Sequence, residues 1–311
     1  MLVYNLKTQR KYDSVITEAA CAADCAVFCH AGEVAGLKGI FGWDESTTLD
    51  CMNLDETVRY TSYDGYDFIS LISVDMEGDE AVQREVNIFF AKHYLVLVLP
   101  ENAGERLSRL AQGLREAVTG AKIRALPLLY YSIFNRMAAN FSETLELLED
   151  EMEDLSETIA ANSGLEQITS IVQFRKAAYT HKKLLRALSY IGGEILIDEN
   201  HLLDKTHALY FRRIDTRLMK LYDFADNLYS LSSELLQVYD SKTAARLNET
   251  MNKFTIIALF CGPLTVITGI YGMNFSHMPE LEWTYGYHGA LAFMAMMSLT
   301  IYLLLKRKKW L

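Results

Sequence analysis

Two stretches of this chain contain no charged side chain, residues 254–270 and residues 289–305, and each is seventeen residues long. A helix needs roughly 17–25 mostly apolar residues to cross the hydrocarbon core of a bilayer, so both reach the lower end of that range. Upstream the apolar pattern is of another kind. Residues 67–74 read as a β-strand, and residues 86–90 and 94–99 as two more joined tightly at Ala91-Lys92-His93, with Pro100 ending the last. From about Ala103 the period becomes helical. Residues 133–162 hold neither Pro nor Gly, longer than an ordinary globular helix, which predicts a projecting helical hairpin turning at Asn162-Ser163-Gly164.

A second long helix follows. After Asp198-Glu199-Asn200 no Pro occurs until Pro263, and Leu218, Leu221, Phe224, Leu228, Leu231, Leu235 and Val238 keep helical spacing on one side. This predicts one continuous helix from about His201 to Tyr271, roughly 100 Å at 1.5 Å per residue. So long a helix needs identical neighbours in a parallel bundle. The expected division is therefore an α/β domain over 1–125, an acidic helical hairpin over 126–200 and a stalk helix over 201–253. A first span over 254–272, an outer loop over 273–287, a second span over 288–305 and a basic tail over 306–311 complete it. The fold class is an α+β cytoplasmic domain of α/β/α layering, with a stalk helix running into a two-helix C-terminal membrane region.

Charge sharpens this picture. The net charge is −10, yet residues 254–311 carry only Glu280 and Glu282 against Lys306, Arg307, Lys308 and Lys309, so the residues before them stand at −12. So acidic a soluble part argues against nucleic acid as a partner, because that needs a basic face. It suits contact with cations, and equally plain solubility. The hairpin's first arm alone holds Glu143, Glu146, Glu149, Asp150, Glu151, Glu153, Asp154 and Glu157 with no base among them. A solvated face is the default reading of such a run, and a cation-attracting surface the alternative.

Orientation follows from the basic residues. Lys306 to Lys309 abut the second span beside Trp310, and Arg246 and Lys253 precede the first, while residues 275–287 contain no Lys or Arg. The positive-inside rule then places both termini in the cytoplasm and the turn between the spans outside. The opening residues Met1 to Lys7 lack the apolar core of a secretory signal. Among five cysteines, Cys21, Cys25 and Cys29 stand four apart with His30 adjacent, which would align them on one face of a helix. A soft-metal site is one reading. Buried thiols on a packed face are the other, and the favoured one. Cys51 and Cys261 read as structural.

Within the first span, Asn248, Met251, Thr255, Ala258, Gly262, Thr265 and Gly269 recur at steps of three and four. The stripe they form is small or polar along its length. Spacing alone favours a helix-packing face; a pore lining is the competing use. Two spans per chain cannot enclose an aqueous path, so conduction would need an oligomer.

The turn between the spans is Tyr271-Gly272-Met273-Asn274-Phe275, a Gly-Met-Asn motif. With Asn248-Glu249-Thr250-Met251 and Pro263-Leu264-Thr265 before it, and Met278-Pro279-Glu280-Leu281-Glu282-Trp283 after it, the chain resembles the CorA-type magnesium transporter family. The match is most specific over residues 248–311, and a weaker likeness covers 86–98 and Tyr210-Phe211-Arg212. The resemblance implies a homopentamer in the plasma (inner) membrane, lined by the first span. Gly272, Met273 and Asn274 would form the selectivity mouth, with the Asn274 amide oxygen as the group nearest the ion. Gly272 fits the helix-end position that tolerates a left-handed backbone. Met251 and Phe254 would form a hydrophobic constriction, Asn248 a polar ring beneath it, and Ala258, Gly262 and Thr265 the wall above. Glu280 and Glu282 would add negative field outside, and Lys306, Arg307, Lys308 and Lys309 a basic cytoplasmic ring.

The resemblance implies no catalytic cofactor and no nucleotide, with magnesium as transported ion and regulator. No phosphate loop appears in the sequence, so coupling to ATP has no visible basis. Three positions depart from the family pattern: Gly262 stands where a bulky Met is common, Arg213 where the best-known pattern has Asp, and Gln237 where an acid can stand. Loss of two carboxylates puts the usual magnesium-dependent closure in question. The rival functions are proton-coupled zinc transport in the same superfamily, or a membrane-anchored sensor or scaffold that conducts nothing.

Overall fold

Side chains along the strand Cys25–His30 alternate between two buried faces, and this alternation organises the first half of the chain. Our computed structural model describes residues 1–8, 10–13, 24–52, 58–77, 80–161, 165–273, 278 and 282–308. Seven strands form one sheet: β1 Leu2–Asn5, β2 Arg10–Asp13, β3 Cys25–His30, β4 Arg59–Tyr63, β5 Tyr66–Glu77, β6 Glu80–Ala91 and β7 Tyr94–Leu99. Their order is β2-β1-β3-β7-β6-β5-β4, antiparallel throughout except for β3 against β7. The hairpin at Ala91-Lys92-His93 sets β6 on β7, with Phe90 opposite Leu95.

One face of the sheet carries Val3, Val27, Phe68, Phe89 and Val96, covered by a 3₁₀ turn over Ala31–Gly36 and by helices α1 Lys38–Phe41 and α2 Glu45–Met52. Trp43 stacks on Phe89 there, with ring centroids 3.8 Å apart. Phe28, Ile88, Phe90, Leu95 and Leu97 point from the opposite face to helices α3 Gly104–Thr119, α4 Leu126–Ala161, α5 Leu165–Ile197 and α6 Lys205–Tyr271. Tyr130 is the hub of this second core. It stacks on Phe90 at 4.3 Å and meets Phe211 of α6 at 4.9 Å, and full burial drives its hydroxyl well above the ordinary phenol range.

The segment that carries the spaced cysteines is a strand and not a helix. Cys25 and Cys29 lie on strand β3, buried on the same face as Val27; Cys21 lies outside the described residues. Among the described residues no group of His, Cys, Asp and Glu side chains is arranged to hold a metal ion. The turn Asn162-Ser163-Gly164 is also outside the described residues, though α4 and α5 on either side of it form the expected pair of long helices. Every acid of the α4 run from Glu143 to Glu157 is exposed.

The stalk helix starts at Lys205, four residues later than expected. Asp198 and His201 both adopt left-handed backbone angles, φ 51° and 52°, which break the helical path. The Asp198 carboxylate then accepts from the N–H groups of Leu202 and Leu203, and Asp204 caps the new helix by accepting from His207 N–H at 2.7 Å. The chain divides into two compact units, Met1–Leu236 and Gln237–Leu311, with α6 contributing to each. The second unit also holds helix α7, Gly286–Arg307.

Candidate functional site

The second unit is built from apolar sequence with a small or polar stripe running through it. Both α6 and α7 are long and apolar enough to cross a membrane. Along α6, Ile256, Phe260, Pro263, Leu264 and Ile267 are half-buried, whereas Asn248, Met251, Thr255, Ala258, Gly262, Thr265 and Gly269 are all exposed. At 3.6 residues per turn the two sets lie about half a turn apart around the helix. The matching covered face of α7 includes Gly289, Ala290, Met294, Met297 and Ile301. Near the turn, Ile267 and Ile270 share a groove of about 430 Å³ with Trp283, Gly289 and Phe293, which fixes which side of α6 looks towards α7. The stripe of Ala258, Gly262 and Thr265 is therefore not the surface on which these two helices meet. That covered face, with Phe260 at its centre, escaped the sequence reading because apolar residues surround the helix on every side but the stripe.

Phe254 is 65% exposed and Met251 59%, so neither is covered within its own chain. The threonine hydroxyls have a defined polarity. Thr255 donates to the carbonyl of Met251 and Thr265 to that of Cys261, both at 2.8 Å. Each hydroxyl hydrogen is thus spent on its own helix, and the oxygen lone pairs remain to accept. Pro263 lies within the helix and cannot donate to the carbonyl of Leu259.

Helix α6 ends at Tyr271, with Gly272 just past it. Gly272 does not adopt a left-handed backbone; its N–H bonds the carbonyls of Thr268 at 2.9 Å and Gly269 at 3.2 Å, and Met273 N–H bonds Ile270 at 3.2 Å. A Cβ at position 272 would sit 3.2 Å from the Thr268 carbonyl oxygen, so glycine here lets the last turn tighten. Asn274 and Glu280 lie outside the described residues. Glu282 is exposed, as are Lys306 and Arg307 in the last turn of α7 and Lys308 at its end, while Lys309 is again outside the described residues. In the first unit Arg213 projects into solvent between buried Phe211 and Ile214 and forms no ion pair among the described residues.

A mixed-sheet unit, a long helix running on into an apolar segment and one further apolar helix are the architecture of a two-span membrane protein. The chain belongs to the CorA-like Mg2+ transporter protein family, whose sequence model matches residues 30–307. It is 28% identical over 273 residues to the cobalt/magnesium transport protein CorA of Thermotoga maritima, covering 87% of this chain and 78% of that one. In fold it is similar to the CorA magnesium transporter of Methanocaldococcus jannaschii, with a TM-score of 0.83 at 21% identity, covering 97% and 95% of the two chains. The ZntB cytoplasmic domain of Vibrio parahaemolyticus also shares the fold, with a TM-score of 0.65 at 12% identity over 79% of this chain and 98% of that one.

Proposed function

We propose that this chain is a passive divalent-cation channel, with magnesium as its main ion and cobalt and nickel as further candidates. It works as a homopentamer whose first spans line the pore. The observation that supports this most is the separation of faces on α6: the small and polar stripe points away from the surface turned to α7. In lipid alone that stripe would gain nothing from its polarity, whereas around a shared axis it meets water.

The chemistry suits a hydrated ion. Magnesium gives up its waters reluctantly and usually keeps several when bound. Waters bound to a cation point their hydrogens outward, so the wall must accept. Thr265, its hydrogen committed to the Cys261 carbonyl, presents such an acceptor. Asn274 supplies a neutral amide oxygen at the mouth, where the converging helix C-termini add partial negative charge. Glu280 and Glu282 raise the cation concentration outside. Deeper in, Met251 and Phe254 form a constriction that closes by dewetting, above the polar ring of Asn248. Entry is driven by a negative-inside potential across the inner membrane, with both termini and the basic residues Lys306 to Lys309 on the cytoplasmic side.

The test is magnesium entry into proteoliposomes under that potential, comparing the wild-type chain with Asn274→Ala. Rapid entry abolished by the substitution supports the pore and the role of the turn. The fold shared with a ZntB domain gives a second reading, proton-coupled zinc transport. Zinc flux that follows a proton gradient, with no magnesium entry, would favour it. A correctly inserted pentamer that passes neither ion would be a sensor or scaffold.

A further inference from the structure

Three arginines converge where α3 packs on α4, in a chain whose net charge is −10. Arg106 and Arg109, one turn apart on α3, and Arg136 from α4 line an open cavity of about 250 Å³ together with Asn140 and Glu143. Each arginine is held in its own way. Arg106 donates to Thr144 Oγ1, whose own hydrogen goes to the Asn140 carbonyl at 2.9 Å. Arg136 reaches back over α3 and donates to the carbonyl of Gly113 at 3.3 Å. A Cβ at Gly113 would collide with that guanidinium. Glycine inside a helix is unfavourable relative to alanine, and here its missing side chain gives Arg136 its path across α3.

Arg109 and Arg136 have little carboxylate compensation among the described residues. Arg109 meets Glu105 at 3.6 Å, but both are largely exposed, and such surface pairs contribute little. Glu143 at the rim and Arg136 form no ion pair among the described residues, and the side-chain amide of Asn140 makes no hydrogen bond there. Arginine forks match the geometry of phosphate oxygens and hold them by charge-assisted hydrogen bonds. We infer that the Arg106–Arg109–Arg136 cavity binds a compact phosphate-class oxyanion, either an inorganic di- or triphosphate or the phosphate tail of a nucleotide. The inference stands on the first unit alone and is independent of the transport reading.

The full chain in detergent, freed of divalent cations and at low salt, is titrated calorimetrically with sodium pyrophosphate, with tripolyphosphate and ATP in parallel arms. Saturable binding is expected, weakened at least about tenfold, or roughly 1.4 kcal/mol, by Arg109→Ala and by Arg136→Ala. Gly113→Ala should weaken it similarly by displacing Arg136. Arg109 is exposed, so its variant keeps the fold, checked by an unchanged thermal midpoint. ATP binding more tightly than tripolyphosphate assigns the site to a nucleotide; equal affinity assigns it to the inorganic anion. Absence of saturable heat in every arm, or affinities that Arg109→Ala and Arg136→Ala both leave unchanged, overturns the inference.

Discussion

Asn200, in the elbow between α5 and α6, donates from its side-chain amide to Asp67 Oδ1 of β5 at 2.7 Å, across 133 positions of sequence. The same nitrogen lies 2.8 Å from Ser62 Oγ and 2.9 Å from the Tyr63 carbonyl, and Ser62 in turn donates to Asp67 at 3.0 Å. One amide thus ties the start of the stalk helix to the β4–β5 hairpin. The Asp67 carboxyl is buried, and desolvation raises it above the ordinary carboxylate range even though Asn200 and Ser62 hydrogen-bond it and pull the other way.

Replacing Asn200 with Ala should leave that buried carboxyl short of donors and cost about 1–3 kcal/mol. The expected readout is a thermal midpoint lower by several degrees in the detergent-solubilised protein. The effect of pH has a defined sign. Below the ordinary carboxylate value Asp67 is protonated in both folded and unfolded chains, and its contribution to stability is whole. As pH rises towards the raised folded value, the unfolded chain ionises first, so that contribution is lost. Asp67→Asn should therefore gain stability relative to wild type as pH rises from about 4 to 7. A difference between the two that does not change with pH would refute the assignment.

Burial pushes the Cys29 thiol up to about 12 and raises Cys51 as well, and Cys25 is fully buried beside them. The thiolate is the reactive form, so these side chains should be inert at neutral pH. In a Cys21→Ser/Cys261→Ser variant, Ellman's reagent should label none of the remaining three in the native protein and all three in denaturant. We expect the native rate to be at least about 100-fold slower. Rapid native labelling of any of the three would contradict the strand packing.

These cysteines also show where a sequence misleads. A spacing of four puts residues on one face of a helix, but it is also even, so it puts them on one face of a strand. Neighbouring Ala26, Val27 and Phe28 are buried on both faces of the strand, a pattern that no period distinguishes from a buried helix. Strands β5 to β7 were legible because their apolar runs end at Gly65, at Lys92-His93 and at Pro100. Strands β1, β2 and β4 are only four or five residues long, too short for an alternating pattern to stand out, although β1–β2 and β4–β5 pair as local hairpins. The α6 stripe was legible as a stripe; what the sequence lacked was the face opposite it. The three arginines were half-visible, since Arg106 and Arg109 share a helix face, but only tertiary packing brings Arg136 across Gly113.

If the stripe meets water, cysteines placed on it should be reached by a charged thiol reagent. In a Cys261→Ser background, Ala258→Cys and Thr265→Cys should be modified by a water-soluble methanethiosulfonate, with magnesium flux falling at least about tenfold as the pore is blocked. Phe260→Cys and Ile267→Cys, on the face turned to α7, should stay unmodified. Equal protection of all four would make the stripe a packing surface.

Arg213 provides the last prediction. Phe211 and Ile214 on either side of it are buried in the helical core, which directs the guanidinium outward, and it forms no ion pair among the described residues. In a ring of copies it can meet an acid of the neighbouring chain, acting as a fixed cation where a carboxylate would need a bound one. Closure that relies on a fixed charge does not depend on the ion concentration. Arg213→Asp replaces that attraction with carboxylates that repel unless a divalent ion lies between them. The ratio of flux at low to high internal magnesium should then rise about tenfold, within the range typical of an effector site. Measured in proteoliposomes loaded with graded magnesium, an unchanged ratio would remove Arg213 from the gating mechanism.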